Sequence, residues 1–130
     1  LPELKNWTVI KQGGFYALGK HLRFIHGDTL SGTTNVTNNA AQKYKNSIRF
    51  GHFHSFQTAT RYNPFDTTDV NTAIMVPGLC HKNPNYLNGK PSQWLEGFLY
   101  GYLNDDGTFN DYVPIIINGK ATINGKIYKG

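Results

Sequence analysis

The short apolar runs His21-Leu22-Arg23-Phe24-Ile25-His26 and Ser47-Ile48-Arg49-Phe50 flank a stretch with helical spacing, and each closes on a glycine–histidine step. The first ends at His26-Gly27-Asp28; the second runs into Gly51-His52-Phe53-His54. Two strands joined through a helix can form a parallel pair with the helix packed on the sheet. Both closures then fall at the same end of adjacent strands, where α/β proteins place their sites. The stretch between has its own signals. Thr33, Thr34 or Asn35 can cap its start, and Val36, Ala40, Ala41 and Tyr44 make an apolar stripe. Lys43 and Lys45 fall in a last turn that is expected to end near Asn46, where the helix dipole favours cations.

Leu22, Phe24 and His26 share one face of the first strand, with His21, Arg23 and Ile25 on the other. In a continuing strand His52 and His54 would project to one face about 6.6 Å apart. A metal–nitrogen bond is roughly 2.1 Å and the ions of a two-metal hydrolase lie about 3.5–4 Å apart. Such a pair can share one ion or give one imidazole to each of two. Gly51, without a Cβ, lets a backbone or substrate come close. Taken singly, His26 is equally a hydrogen-bonded core residue and His-x-His a surface feature. His21 and His81 read as surface or loop residues.

The rest of the chain is patterned for strands. Trp7 to Lys11 reads as a strand stopping at Gln12-Gly13-Gly14, and Phe15 to Leu18 pauses at Gly19-Lys20. Beyond His54, Gln57–Tyr62 and Val70–Val76 are strands around Asn63-Pro64-Phe65-Asp66, and 81–91 is a polar loop. Trp94–Leu103 and Phe109–Ile117 flank the turn Asp105-Asp106-Gly107, with Pro114 marking an edge or bulge. Asn118-Gly119 and Asn124-Gly125 are hairpin turns; the repeated Ile-Asn-Gly-Lys is turn chemistry occurring twice. The expected class is α/β (α+β) in one domain, 1–130: a strand-helix-strand unit over 1–56, then a mostly antiparallel β-rich closing sheet over 57–130.

Apolar residues at 38% and aromatics at 14% suit a chain that folds. The net charge of +5 suits an anionic partner such as a phosphate ester or nucleic acid, although the lysines and arginines are scattered. Before Asp66 the only acids are Glu3 and Asp28, so the histidines have few hard anionic donors nearby. Cys80, the one cysteine, cannot form an internal disulfide. No apolar run approaches the roughly 20 residues that span a bilayer. Leu1 in place of Met leads us to expect a piece of a longer protein.

Read in order, His26-Gly27-Asp28, the helical stretch and Gly51-His52-Phe53-His54 resemble the second half of the calcineurin-like metallophosphoesterases. Pro77-Gly78-Leu79-Cys80, Gln93-Trp94-Leu95-Glu96-Gly97-Phe98 and Ile117-Asn118-Gly119-Lys120-Ala121 are similar to closing strands of the phage and bacterial branch. The resemblance implies the C-terminal, β-rich half of that family's β-sandwich and hydrolysis of a phosphodiester or nucleic acid in the cytoplasm of a bacterium or phage-infected host. It implies two divalent ions, manganese in preference to iron, zinc or nickel, with His26 and His52 on one and His54 on the other. The family's Asp-x-His, Gly-Asp-x-x-Asp and Gly-Asn-His-Asp/Glu motifs do not occur in these residues. The bridging acid and the general-acid histidine are therefore expected from an absent N-terminal half, this chain being inactive alone and its open sheet edge pairing with that half or a second copy. Asp28 is left out of the site, and Arg49, Tyr62 and Lys43 could contact a phosphate on the ground of charge alone. Two other readings stand beside this one: a non-catalytic basic β-rich module for nucleic acid, and a single zinc held by His26, His52 and His54.

Overall fold

A computed structural model describes residues 8–32, 34–81 and 83–130. The elements are β1 (Phe15–Leu18), β2 (Leu22–Ile25), α1 (Val36–Lys43), β3 (Ser47–Phe50), β4 (Gln57–Asn63), β5 (Asp66–Met75), a 3-10 turn (Asn85–Leu87), β6 (Tyr100–Leu103), β7 (Phe109–Tyr112), β8 (Lys120–Ile123) and β9 (Lys126–Lys129). The class is mixed α+β and rich in strands.

Five strands form one sheet in the order β1-β2-β3-β5-β4. β2, β3 and β5 run parallel, and β1 and β4 close the edges antiparallel. Ile25, Phe50 and Met75 stand side by side, so the three parallel strands end level at one edge. The helix covers one face. Val36, Ala40 and Ala41, spaced four and one apart, are buried against Ile48, Phe50, Ala73 and Met75. Alanine at 40 and 41 lets the helix lie close to the sheet. Arg49, pointing the other way from β3, meets the β6–β7 hairpin on the opposite face through Asp111. β8–β9 is a further two-stranded hairpin, joined to β6 through Asn124, which accepts from the Tyr100 hydroxyl at 3.1 Å.

Several boundaries differ from those expected. Trp7 lies outside the described residues, and Thr8–Lys11 is not a strand but runs into a turn closed by Gly14 N–H to the Lys11 carbonyl at 2.9 Å. Val9 and Ile10 are exposed and pair with no strand among the described residues. The helix stops at Lys43 rather than near Asn46, because Tyr44 is already extended and its carbonyl accepts from Asn71 Nδ2 at 3.1 Å. Asn35 occupies the cap position without a side-chain cap bond, and Thr33 lies outside the described residues. From Trp94 to Leu103 only Tyr100–Leu103 is a strand; Glu96 and Gly97 make single bridges to Gly78 and Ile115. At Gly97 the chain passes so close to Pro114 that a Cβ would lie 2.8 Å from its carbonyl oxygen. Strands on both sides of residue 56 share the main sheet, so the sheet does not divide there. At the expected hairpin turns, Asn118, Gly119, Asn124 and Gly125 all have the positive φ of a two-residue turn.

Candidate metal centre

The path from β3 to β4 makes the site. β5 occupies the sheet position between them, so the segment after Phe50 must pass over the carboxyl end of β5, a step of about two strand spacings or roughly 9.6 Å. It does so with tight turns. Gly51 N–H bonds the His26 carbonyl at 3.1 Å, and Phe53 N–H bonds the Gly51 carbonyl at 2.8 Å, a γ-turn centred on His52. His52 has φ 69° and His54 φ 52°. The expected strand geometry is thus corrected: the two rings do not share a strand face. A non-glycine residue in this left-handed region costs on the order of 1–2 kcal/mol, and such strain gathers at functional sites.

The turn sends the two rings to different neighbours. His52 faces β2, with its Nδ1 3.2 Å from His26 Nε2 and the ring centroids 5.0 Å apart at 77°. His54 faces the continuation of β5: its Nδ1 is 3.3 Å from Cys80 Sγ, and its ring stacks on Trp94 with centroids 4.2 Å apart. Its carbonyl accepts from Leu95 N–H at 2.7 Å, which ties the 94–96 segment to the turn. Gly78 makes room for this second pair, since a Cβ there would lie 2.5 Å from His54 Nδ1 and 3.0 Å from Cys80 Sγ. Gly27, with φ 107°, lets the chain after His26 turn against the Gly51 carbonyl, 3.1 Å from where a Cβ would stand. The first pair and Cys80 are open to solvent, and His54 is half-buried.

These distances fit metal binding. Two nitrogens each about 2.1 Å from one ion are about 3.0 Å apart at a right angle and about 3.4 Å at the tetrahedral angle. The His26–His52 separation of 3.2 Å lies between. His26 and His52 are thus brought together as expected, whereas His54 joins Cys80, and among the described residues no three His, Cys, Asp or Glu side chains converge on one point. Two protein donors leave room on an ion for oxygen ligands from elsewhere.

The other candidates fall away from this edge. Arg49 is consumed: its guanidinium donates to Asp111, to the Ile48 carbonyl at 3.0 Å, and to the Thr72 carbonyl and hydroxyl at 2.8 and 3.0 Å. Lys43, at the end of α1, and Tyr62, late in β4, stand toward the opposite edge, so neither reaches the histidines. Asp28 is exposed in the turn closed by Leu30 N–H to the Gly27 carbonyl. His21 and His81 are exposed. His21 lines a wide groove of about 1080 Å³ at the amino ends of the parallel strands, with Lys45, Arg61, Asp69 and Asp106. Size does not make that groove the site: Arg61 and Asp69 pair with each other at 2.6 Å, and no metal donor set forms there among the described residues. Cys80 and Trp94 went unassigned in the sequence; the Pro77-Gly78 break, which puts Cys80 in a loop at the strand-end edge, was the available signal.

No family model matches the chain, and no curated protein matches it.

Proposed function

We propose that this chain supplies the last two histidine motifs of a binuclear metallophosphoesterase centre that hydrolyses a phosphodiester or nucleic acid, in the cytoplasm of a bacterium or phage-infected host. The observation that carries the reading is the meeting of His26 Nε2 and His52 Nδ1 at 3.2 Å, on the ends of neighbouring parallel strands. His26 and His52 would hold one ion, and His54 would face the other. Bound there, divalent ions would supply Lewis acidity toward a phosphoryl oxygen and an acidified water. The residues themselves act by position: the γ-turn fixes the His52 ring, and the Trp94 stack orients His54. Neutral imidazoles cannot balance two dications, so the reading assigns the acidic ligands to another segment carrying the three motifs absent here. The outer edge of β1, where Phe15 and Tyr16 are 60% and 49% exposed, is the strand such a segment or a second copy would extend.

Hydrolysis of bis(p-nitrophenyl) phosphate, assayed in parallel with manganese and with zinc, tests this. The chain alone should turn over little; with a polypeptide bearing the three motifs it should be active, and His52→Ala should remove that activity. Full activity of the chain alone would contradict the divided site. No activity in either case, with no metal uptake, would overturn the hydrolase reading.

One observation favours a second reading. From Tyr112 to Gly130 there are three lysines and no acid, and Tyr112 and Tyr128 are 51% and 48% exposed, a surface suited to single-stranded nucleic acid. Such a module would bind oligonucleotide in the presence of a chelator and lose it steeply with salt.

A further inference from the structure

Outside the imidazole pair, His54 meets Cys80 with its Nδ1 against the sulfur. Cys80 is exposed, so its sulfur fills no core space. Three features nevertheless converge on it. His54 holds a left-handed backbone conformation that aims its ring at the sulfur, Trp94 stacks on that ring, and the lack of a Cβ at residue 78 leaves the space where Nδ1 and Sγ meet. The separation is informative. A nitrogen about 2.1 Å and a sulfur about 2.3 Å from one ion are about 3.1 Å apart at a right angle and about 3.6 Å at the tetrahedral angle; the observed value is 3.3 Å. His54 and Cys80 follow adjacent strands, β3 and β5, as His26 and His52 follow or adjoin β2 and β3.

We propose that Cys80 is a metal ligand, forming with His54 a nitrogen–sulfur pair beside the nitrogen–nitrogen pair of His26 and His52. This rests on the metal-centre reading above and sharpens it. A thiolate is a soft donor, so the ion at His54 is zinc, cobalt or ferrous iron and not manganese, whereas the imidazole pair is less selective. Binding releases the thiol proton to solvent, leaving sulfur as the thiolate ligand; nothing is oxidised or reduced.

Cobalt reports sulfur ligation directly. Titrating Co(II) into the reduced protein should give an intense near-ultraviolet sulfur-to-cobalt charge-transfer band, removed by zinc and unaffected by manganese. Cys80→Ser should lack the band yet keep weak visible absorption from cobalt on His26 and His52; His52→Ala should keep the band. Cobalt binding without the band, identical in wild type and Cys80→Ser, would overturn the role of Cys80 and leave the imidazole pair standing. Absence of cobalt uptake in both would overturn the pair of proposals together, and circular dichroism of each variant separates misfolding from loss of a ligand.

Discussion

Arg49 carries its charge at 2% exposure because all five of its N–H groups have acceptors: both oxygens of Asp111, two backbone carbonyls and the Thr72 hydroxyl. Phe109 lies under the guanidinium with its ring centroid 5.4 Å away. Removing one partner of such a pair strands the other without a counter-charge, so Arg49→Ala should cost about 3–5 kcal/mol in urea unfolding. Arg61→Ala, which breaks a more exposed pair with Asp69, should cost at most about 1 kcal/mol. Equal costs would refute this structural role for Arg49. At His52 the stability effect and the chemistry point opposite ways. Glycine accepts φ 69° freely and alanine does not, so His52→Gly should be the more stable of the two by about 1 kcal/mol, with metal uptake lost in both. The sequence showed these histidines as candidates but not their conformation. Nothing in the residue type announces a left-handed histidine; that follows from a sheet order visible only after folding.

Among the elements, Asp66, which opens β5 after the β4–β5 turn, and Asp106, in the β6–β7 turn, repeat one device. Each carboxylate accepts the hydroxyl and the backbone N–H of the threonine two residues on, at 2.6 and 3.0 Å from Thr68 and 2.6 and 2.8 Å from Thr108. Those bonds, the hydroxyl first, hold both carboxyls below their ordinary pKa. Because the folded value is lowered, the contribution is present above the unfolded pKa and is lost as pH falls through the folded one. A variant carrying Asp66→Asn and Asp106→Asn should therefore lose less stability than wild type on acidification below the carboxylate range, and parallel pH profiles would show that these bonds contribute nothing. Turns of this kind were legible because a few adjacent residues set them, as at Asn118-Gly119 and Asn124-Gly125. The placement of β4 and β5 in the first sheet was not, since β3 pairs with β5 rather than with β4, the next strand in the chain, and no local pattern encodes that choice.

For the whole molecule, the fold brings the ends of three parallel strands to one edge and hangs two donor pairs there. The strand-helix-strand pattern and its two glycine–histidine closures made that edge readable in advance. The splitting of the histidines between His26 and Cys80 was not readable, because it depends on a turn crossing the end of a strand that comes later in the chain. No helix among the described residues is long and apolar enough to cross a membrane. The most direct test of the centre is a zinc titration followed by long-range proton–nitrogen NMR of the imidazoles. His26 Nε2 and His52 Nδ1, opposite ring positions on the two residues, should shift together as one site fills, with His21 and His81 unmoved. If the five histidines shift alike, or His26 and His52 stay still while zinc binds elsewhere, the pair is a hydrogen bond between two rings and not a metal site.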